Sequence, residues 1–344
     1  MYLALDHRSA SAVQRNRHLG RIWRDREPTD FLEPFNLLHR NQMMENEPPE
    51  HTRLRRPVAA AFNRGHVERL RPRVRELAHG LLDHVDPAGF DVVEGYAEPL
   101  PVLVIAELLG VPSSYAPQLR AWSQAIVRMY EVGPAPEVVT AAVDASSDFA
   151  ALVRELVDQR RRVPADDLVT DLVGTELSDD EVVASVVLLL NAGHEASVNV
   201  FGNGLVAMLQ RGLRPGPDPA ATVEEMLRFD SALQLFERTA TAPVVIGDVV
   251  VEPGQRIAAL LGAANRDPVV FEAPDTFDVG RDPNPHLSFG VGVHFCLGAP
   301  LARMELAESL SALFDRFPGL RLTGRPEQRG TFVLRGYRHV EVSA

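Results

Sequence analysis

The apolar residues along most of the chain follow the spacing of α-helices. They recur three and four positions apart in HVERLRPRVRELAHGLLDHV (66–85) and in ALVRELVDQRRR (151–162), which predicts two amphipathic helices. The stretch LSDDEVVASVVLLLNAGHEASVNVFGNGLVAMLQRG (177–212) is apolar almost all round, and Ser178 stands before acidic residues as an N-cap does. We predict a long helix here that runs through the core.

A short β region follows the long helix. APVVIGDVVVEPGQRIAALLG (242–262) alternates apolar and polar residues, with turn signals at Gly247-Asp248 and Pro253-Gly254. A last amphipathic helix is expected from about Gly298 to Phe317, and RGTFVLRGYRHVEV (329–342) is expected to form strands. The Pro-rich LRPGPDPA (213–220) fits a tight loop and not a domain linker. We therefore predict a single domain over residues 1–344, mainly α with small β-sheets.

Composition narrows the class of protein. The chain has 344 residues, 45% of them hydrophobic, which is enough for a large buried core. No apolar run marks a membrane anchor, and the opening residues lack the order of a secretory signal. A single cysteine cannot form an internal disulfide, which suits a reducing compartment. We expect a cytoplasmic protein that does not bind membranes.

The charge is acidic overall but unevenly distributed. A formal net charge of −12 argues against a general nucleic-acid binder. All basic residues are Arg. Residues 51–75 contain eight of them and only one acid, Glu68; the eight are Arg53, Arg55, Arg56, Arg64, Arg69, Arg71, Arg73 and Arg75. This cluster fits either a solvated helix face or the docking surface for an acidic partner protein.

The only cysteine stands in a glycine-rich stretch, SFGVGVHFCLGAPLARMEL (288–306). Gly290, Gly292 and Gly298 allow close backbone approaches that a Cβ would forbid. Cys296 lies just before the predicted last helix, whose free N–H groups would stabilise a thiolate. A lone cysteine is most often a buried structural residue, which is the alternative to a metal ligand. The combined pattern F-G-x-G-x-H-x-C-x-G is too specific for that alternative to stand alone.

This stretch resembles the haem-binding loop of the cytochrome P450 family, in which the cysteine thiolate is the proximal ligand of the haem iron. The resemblance covers nearly the whole chain, without the family's usual first helix and strand. It implies the P450 fold, with haem b between the long core helix and the helix after the cysteine. Cys296 would bind the iron, and Phe289, Gly290 and Gly298 would lie against the cofactor.

Other motifs of the family occur at matching places. EEMLR supplies Glu225 and Arg228, and FDVGR supplies Arg281, the three members of a structural triad. The resemblance also implies four partners for the haem propionates, which are His51 and Arg55 in PPEHTRLRR, Arg238 in FERTAT, and His294.

The long helix carries NAGHEAS (191–197), similar to the family's oxygen-binding segment. Ala192 is small enough to face the haem, and Glu195 is the acid. The next position is normally Thr but here is Ala196, and Ser197 is rotated by about 100° around the helix, so it does not simply replace that Thr. Three routes remain open for protons: water or a substrate hydroxyl, His194 or Glu195, or a reaction with a different proton demand.

The resemblance implies a haem-thiolate monooxygenase that oxidises a small organic substrate in secondary metabolism. It also implies a monomer that receives electrons from a separate ferredoxin. A peroxide-driven or oxidative-coupling enzyme and a haem-based sensor are the alternatives. The sequence carries no motif that identifies the substrate. The expected pocket walls are Phe31, Phe35, Leu38, Met43, Met44, Leu189, Leu235, Phe236 and Phe332.

Overall fold

The computed structural model describes residues 1–62, 64–131 and 133–344, with the side chains of residues 61 and 64–66 left undescribed. Helices dominate this part of the chain. They are α1 His7–Arg15, α2 Thr29–Arg40, α3 Glu50–Ala61, α4 Arg64–Leu82, α5 Pro99–Leu109, α6 Ala116–Val127, α7 Pro136–Arg162, α8 Leu168–Val173, α9 Asp179–Leu209, α10 Pro219–Phe229, α11 Leu261–Ala264 and α12 Ala299–Arg316.

The strands are short and form small sheets. They are β1 Tyr2–Ala4, β2 Leu19–Gly20, β3 Phe90–Asp91, β4 Leu235–Ala240, β5 Val244–Ile246, β6 Val249–Val251, β7 Arg256–Leu260, β8 Arg321–Leu322, β9 Glu327–Gln328, β10 Tyr337–His339 and β11 Glu341–Ser343. The largest sheet has the order β1-β7-β4-β2, with β1 parallel to β7 and the other pairs antiparallel. The mainly α architecture with small sheets is as predicted.

The described residues group into two compact units. The first unit comprises residues 1–20, 64–100 and 196–344, and it contains the four-stranded sheet with α1 packed on it. In the same unit α12 packs against α4 and α10. The second unit comprises residues 21–63 and 101–195, and there α7 packs against α2, α6 and α8. The single domain over residues 1–344 stays a prediction.

The long core helix is confirmed as α9. Ser178 precedes it and forms a capping box, because the Glu181 amide donates to Ser178 Oγ at 3.3 Å and the Ser178 amide donates to Glu181 Oε2 at 2.8 Å. α9 is also the one helix in the described residues that is long and apolar enough to cross a membrane. However, 78% of its most apolar window is buried inside the protein, as in a core helix.

Most other sequence predictions agree with the structure, with different boundaries. The two amphipathic stretches form α4 and part of α7, the alternating region forms β5, β6 and β7, and the last helix is α12. The loop predicted over residues 213–220 holds for 213–218 only, because α10 begins at Pro219, with Asp218 accepting from the Ala220 amide. β4 was missed, since LFERTA lacks turn signals at its ends.

Candidate active site

The cysteine loop is held in shape by its own backbone. The Cys296 amide donates to the Phe289 carbonyl at 2.9 Å, and the Gly290 amide donates to the Leu287 carbonyl at 2.8 Å. Cys296 is partly exposed and lies two residues before Gly298, which caps α12. The sulfur therefore stands at the start of an 18-residue helix, where the positive end of the helix dipole favours a thiolate.

Helix α1 supports this loop from behind. Gly292 has a φ of +83°, and a Cβ on it would lie 2.7 Å from the Gln14 carbonyl oxygen, so no other residue fits there without movement. The Gln14 side chain in turn accepts from the Val291 amide at 2.8 Å. Gln14 is buried and was missed by sequence reasoning, because its only signal is a polar residue next to the apolar face of α1.

The structure brings the three predicted triad residues together. Arg228 Nε lies 2.7 Å from Glu225 Oε2, and Arg281 Nε lies 3.1 Å from the same oxygen. Glu225 and Arg228 are fully buried, and Arg228 also donates to the carbonyls of Asn265 and Pro274 at 2.9 Å. Each described N–H donor of the Arg228 side chain finds an acceptor. The network therefore fixes the segment between Asn265 and Arg281, which leads into the cysteine loop.

Other predicted residues of the first unit lie in β4, in the cysteine loop and in the segment around residue 332. Arg238 is a buried residue of β4, and its guanidinium lies 4.6 Å from the centre of the Phe236 ring. Leu235 and Phe236 in β4 are half-buried, as is His294 in the loop. Phe332 is 53% exposed.

In the second unit, α3 carries His51 and Arg55 one helical turn apart, with His51 buried and Arg55 half-buried. The predicted pocket residues on α2 and the segment after it differ in burial. Phe35, Leu38 and Met43 are buried, Met44 is half-buried, and Phe31 is 45% exposed.

Residues 191–195 of the predicted oxygen-binding segment belong to the second unit. Leu189, His194 and Glu195 are buried, while Ala192 is exposed within the described chain. His194 Nδ1 lies 3.4 Å from Glu195 Oε1. A Cβ on Gly193 would lie 3.7 Å from the Ile105 side chain, which is ordinary contact, so packing within this unit does not require glycine there.

Ser197 is engaged with a residue that sequence reasoning missed. Its hydroxyl forms a hydrogen bond with the carboxyl of Glu305 on α12. Burial raises the pKa of Glu305 to about 8, and the Ser197 hydrogen bond opposes that rise. Ser197 thus turns toward α12, as expected from its rotation relative to Ala196. The available signal for Glu305 was an acid between Met304 and Leu306 in an apolar part of the helix.

These residues fit a haem with a cysteine ligand. The donor set for iron is one thiol on a tight glycine loop, which is the chemistry of a thiolate-bound haem iron. Arg238 and His51 are buried groups able to carry positive charge or donate hydrogen bonds, as the two anionic propionates of haem require. Ala192 is small and exposed on α9, which leaves space beside it for a flat group.

Comparison with known proteins decides the family. A family model described as Cytochrome P450 matches residues 220–329. Cytochrome P450 107B1 of Saccharopolyspora erythraea is 40% identical, over 87% of this chain and 76% of the relative. The chain belongs to the cytochrome P450 family. Nocardicin C N-oxygenase of Nocardia uniformis is also 40% identical to this P450, over 95% of the chain and 84% of the relative.

A solved structure confirms the P450 fold. P450BioI, crystallised in complex with a fatty-acid-ligated acyl carrier protein, matches with a TM-score of 0.95 at 31% identity, covering 99% of this chain and 91% of that chain. This chain is accordingly a P450 monooxygenase. The family binds a haem iron through a cysteine thiolate.

Proposed function

We propose that this P450 uses haem b with Cys296 as the thiolate ligand to insert one oxygen atom of O2 into a small organic substrate. The observation that carries the proposal is the position of the only cysteine, at the end of a glycine loop and the start of α12. The haem supplies the oxidising chemistry when bound. The protein's part is to hold the cofactor, position the substrate and exclude water.

The propionate partners are proposed from charge and burial. His51 and Arg55 on α3, with Arg238 on β4 and His294 in the loop, would donate hydrogen bonds to the propionates. Phe289, Gly290 and Gly298 would contact the macrocycle. The triad of Glu225, Arg228 and Arg281 has a structural part only, since it is buried against backbone carbonyls.

Proton delivery follows a modified route in this proposal. Ala196 has no hydroxyl, and the Ser197 hydroxyl is bonded to Glu305. Glu195 and His194, which lie 3.4 Å apart, are therefore the proposed groups that hold and pass protons, with water or a substrate hydroxyl. The same observation favours a second function, peroxide-driven oxidation, because peroxide already carries the two protons that this route would supply.

A separate ferredoxin is the proposed electron donor. The Arg cluster suits an acidic partner, but three of its members on α4 already pair with acids of the first unit. Arg71 and Arg75 bind Glu308, and Arg73 binds Glu76. Docking must compete with these pairs, so we expect a weak, salt-sensitive complex. Arg64, another member of the cluster, lies outside the residues whose side chains are described. The lone cysteine suits the cytoplasm, and a monomer is proposed.

The test is the ferrous–CO spectrum. Wild type is expected to show the red-shifted band of thiolate-ligated haem, and C296S is expected to lose it. H294N is the matched control, because it alters the same loop but keeps the sulfur, and it is expected to retain the band with weaker haem retention. An unchanged band in C296S refutes the assignment. Product formation with peroxide in place of reductant then distinguishes the two functions.

A further inference from the structure

A small cavity lies beside α9 within the second unit. Its apolar walls include Leu38, Ile126 and Val187, and its polar walls include His39, Tyr130 and Asn191. It has room for a group about the size of one water molecule. The cavity therefore suits one functional group at the end of a larger molecule.

Asn191 brings an unused hydrogen-bond acceptor to this cavity. Its side chain is 6% exposed, and its Oδ1 has no hydrogen-bond partner in the part of the chain that the structure describes. A buried amide oxygen without a partner costs about 1–3 kcal/mol. Helix formation does not require Asn on an otherwise apolar face. The free-energy cost of the unpaired oxygen therefore indicates a ligand that donates a hydrogen bond to it.

His39 and Tyr130 also favour a donor as the ligand. His39 Nδ1 lies 2.7 Å from the Phe35 carbonyl, so that nitrogen carries the proton. Burial lowers the pKa of His39 to about 3, so the ring is neutral and Nε2 accepts from the Tyr130 hydroxyl at 3.2 Å. The hydroxyl proton of Tyr130 is thereby committed, and its oxygen keeps only acceptor capacity toward other groups.

The charge around the cavity favours a neutral ligand over an ionised amine. The described lining contains no carboxylate. The positive charges of Arg26 and Arg21 also act on His39, and the Arg26 guanidinium lies 5.2 Å from the Phe35 ring. Glu45 acts on Tyr130, but it pairs with Arg21, so Arg26 keeps this region positive. This charge disfavours a cation, whereas a neutral hydroxyl can donate to Asn191 and pack against the apolar walls.

We propose that this cavity receives a hydroxyl group of the substrate and that Asn191 is the specificity-determining residue that accepts its hydrogen bond. The inference rests on the proposed function. Val187, Asn191 and Glu195 are spaced four residues apart and share one face of α9. The bound hydroxyl would lie about one helical turn, roughly 5–6 Å along the axis, from Glu195. The substrate class is thus a neutral, hydroxylated and otherwise apolar molecule.

The test uses two probes of equal size, cyclododecanol and cyclododecanone, with the haem-loaded enzyme. Dissociation constants come from the absorption shift of the haem and from calorimetry. Wild type is expected to bind the alcohol about tenfold more tightly than the ketone, because only the alcohol donates a hydrogen bond. N191L, with N191A as a second variant, is expected to reduce this ratio to about one.

The matched control is S185A, since Ser185 is a buried polar residue of the same helix that does not line the cavity. S185A is expected to keep the tenfold preference. N191L is also expected to raise the thermal unfolding midpoint of the ligand-free enzyme, which a structural role for Asn191 would lower. An alcohol that binds no better than the ketone in wild type, or a preference retained in N191L and N191A, overturns the inference.

A crystal structure of the alcohol complex shows whether the probe hydroxyl or a water molecule donates to Asn191. A probe hydroxyl on Asn191 supports the inference, and an ordered water there with the hydroxyl elsewhere refutes it. The ferrous–CO spectrum is recorded on each sample. A normal thiolate band without alcohol preference contradicts only this inference, whereas the absence of that band contradicts the proposed function.

Discussion

Replacing Glu305 by Gln tests whether a neutral acid is buried beside the long core helix. Glu305 lies on α12, and burial raises its pKa from 4.5 to about 8. Its neighbours are the hydroxyl of Ser197 and the buried Tyr96, whose hydroxyl donates to the Ser309 carbonyl at 2.8 Å. At neutral pH the folded protein therefore holds a proton that the unfolded chain has released.

The magnitude follows from the difference between the two pKa values. Each pH unit between them costs about 1.4 kcal/mol, so burial of this carboxyl costs about 3 kcal/mol at pH 7 and about 5 kcal/mol well above pH 8. The folded state binds more protons than the unfolded state between the two pKa values. Glu305 therefore does not lower the free energy of unfolding below pH 4.5, and it lowers this free energy increasingly as the pH rises toward 8. Gln cannot ionise and removes the cost.

The assay is urea unfolding of wild type and E305Q between pH 5 and pH 8.5. The difference in the free energy of unfolding between E305Q and wild type is expected to increase by about 4 kcal/mol from pH 5 to pH 8.5, in favour of E305Q. E76Q is the control, because the Glu76 side chain is 70% exposed, and it is expected to stay within about 0.5 kcal/mol of wild type. A constant difference between E305Q and wild type at every pH would refute the buried neutral acid.

Three further substitutions test the framework around the site. E225Q leaves the buried Arg228 without its charge partner, and we expect a loss of about 3–5 kcal/mol in urea unfolding, with R228M/E225M losing less. G292A places a Cβ 2.7 Å from the Gln14 carbonyl at a φ of +83°, so haem retention after gel filtration is expected to fall. G204A directs a Cβ to within 2.6 Å of the Met226 Cβ and is expected to lower the thermal unfolding midpoint by several degrees.

The sequence determined the parts of the fold that depend on local pattern. The apolar run with its capping box specified α9, and the Gly247-Asp248 signal specified the turn between β5 and β6, where Gly247 has a φ of +58°. The motif around Cys296 was equally visible, because its glycines and its position before a helix are sequence neighbours. Local structure of this kind needs no knowledge of distant contacts.

Only the tertiary structure decided which partners the polar residues take. Glu305 and Ser197 are 108 positions apart in the chain, and no periodicity indicates that they meet. Glu68 is the only acid within the Arg cluster in the sequence, but Glu308 from α12 binds two of its members on α4. Pairing of charges, burial of acids and unused acceptors such as Asn191 depend on which helices pack together, and that is set by the whole core and not by local spacing.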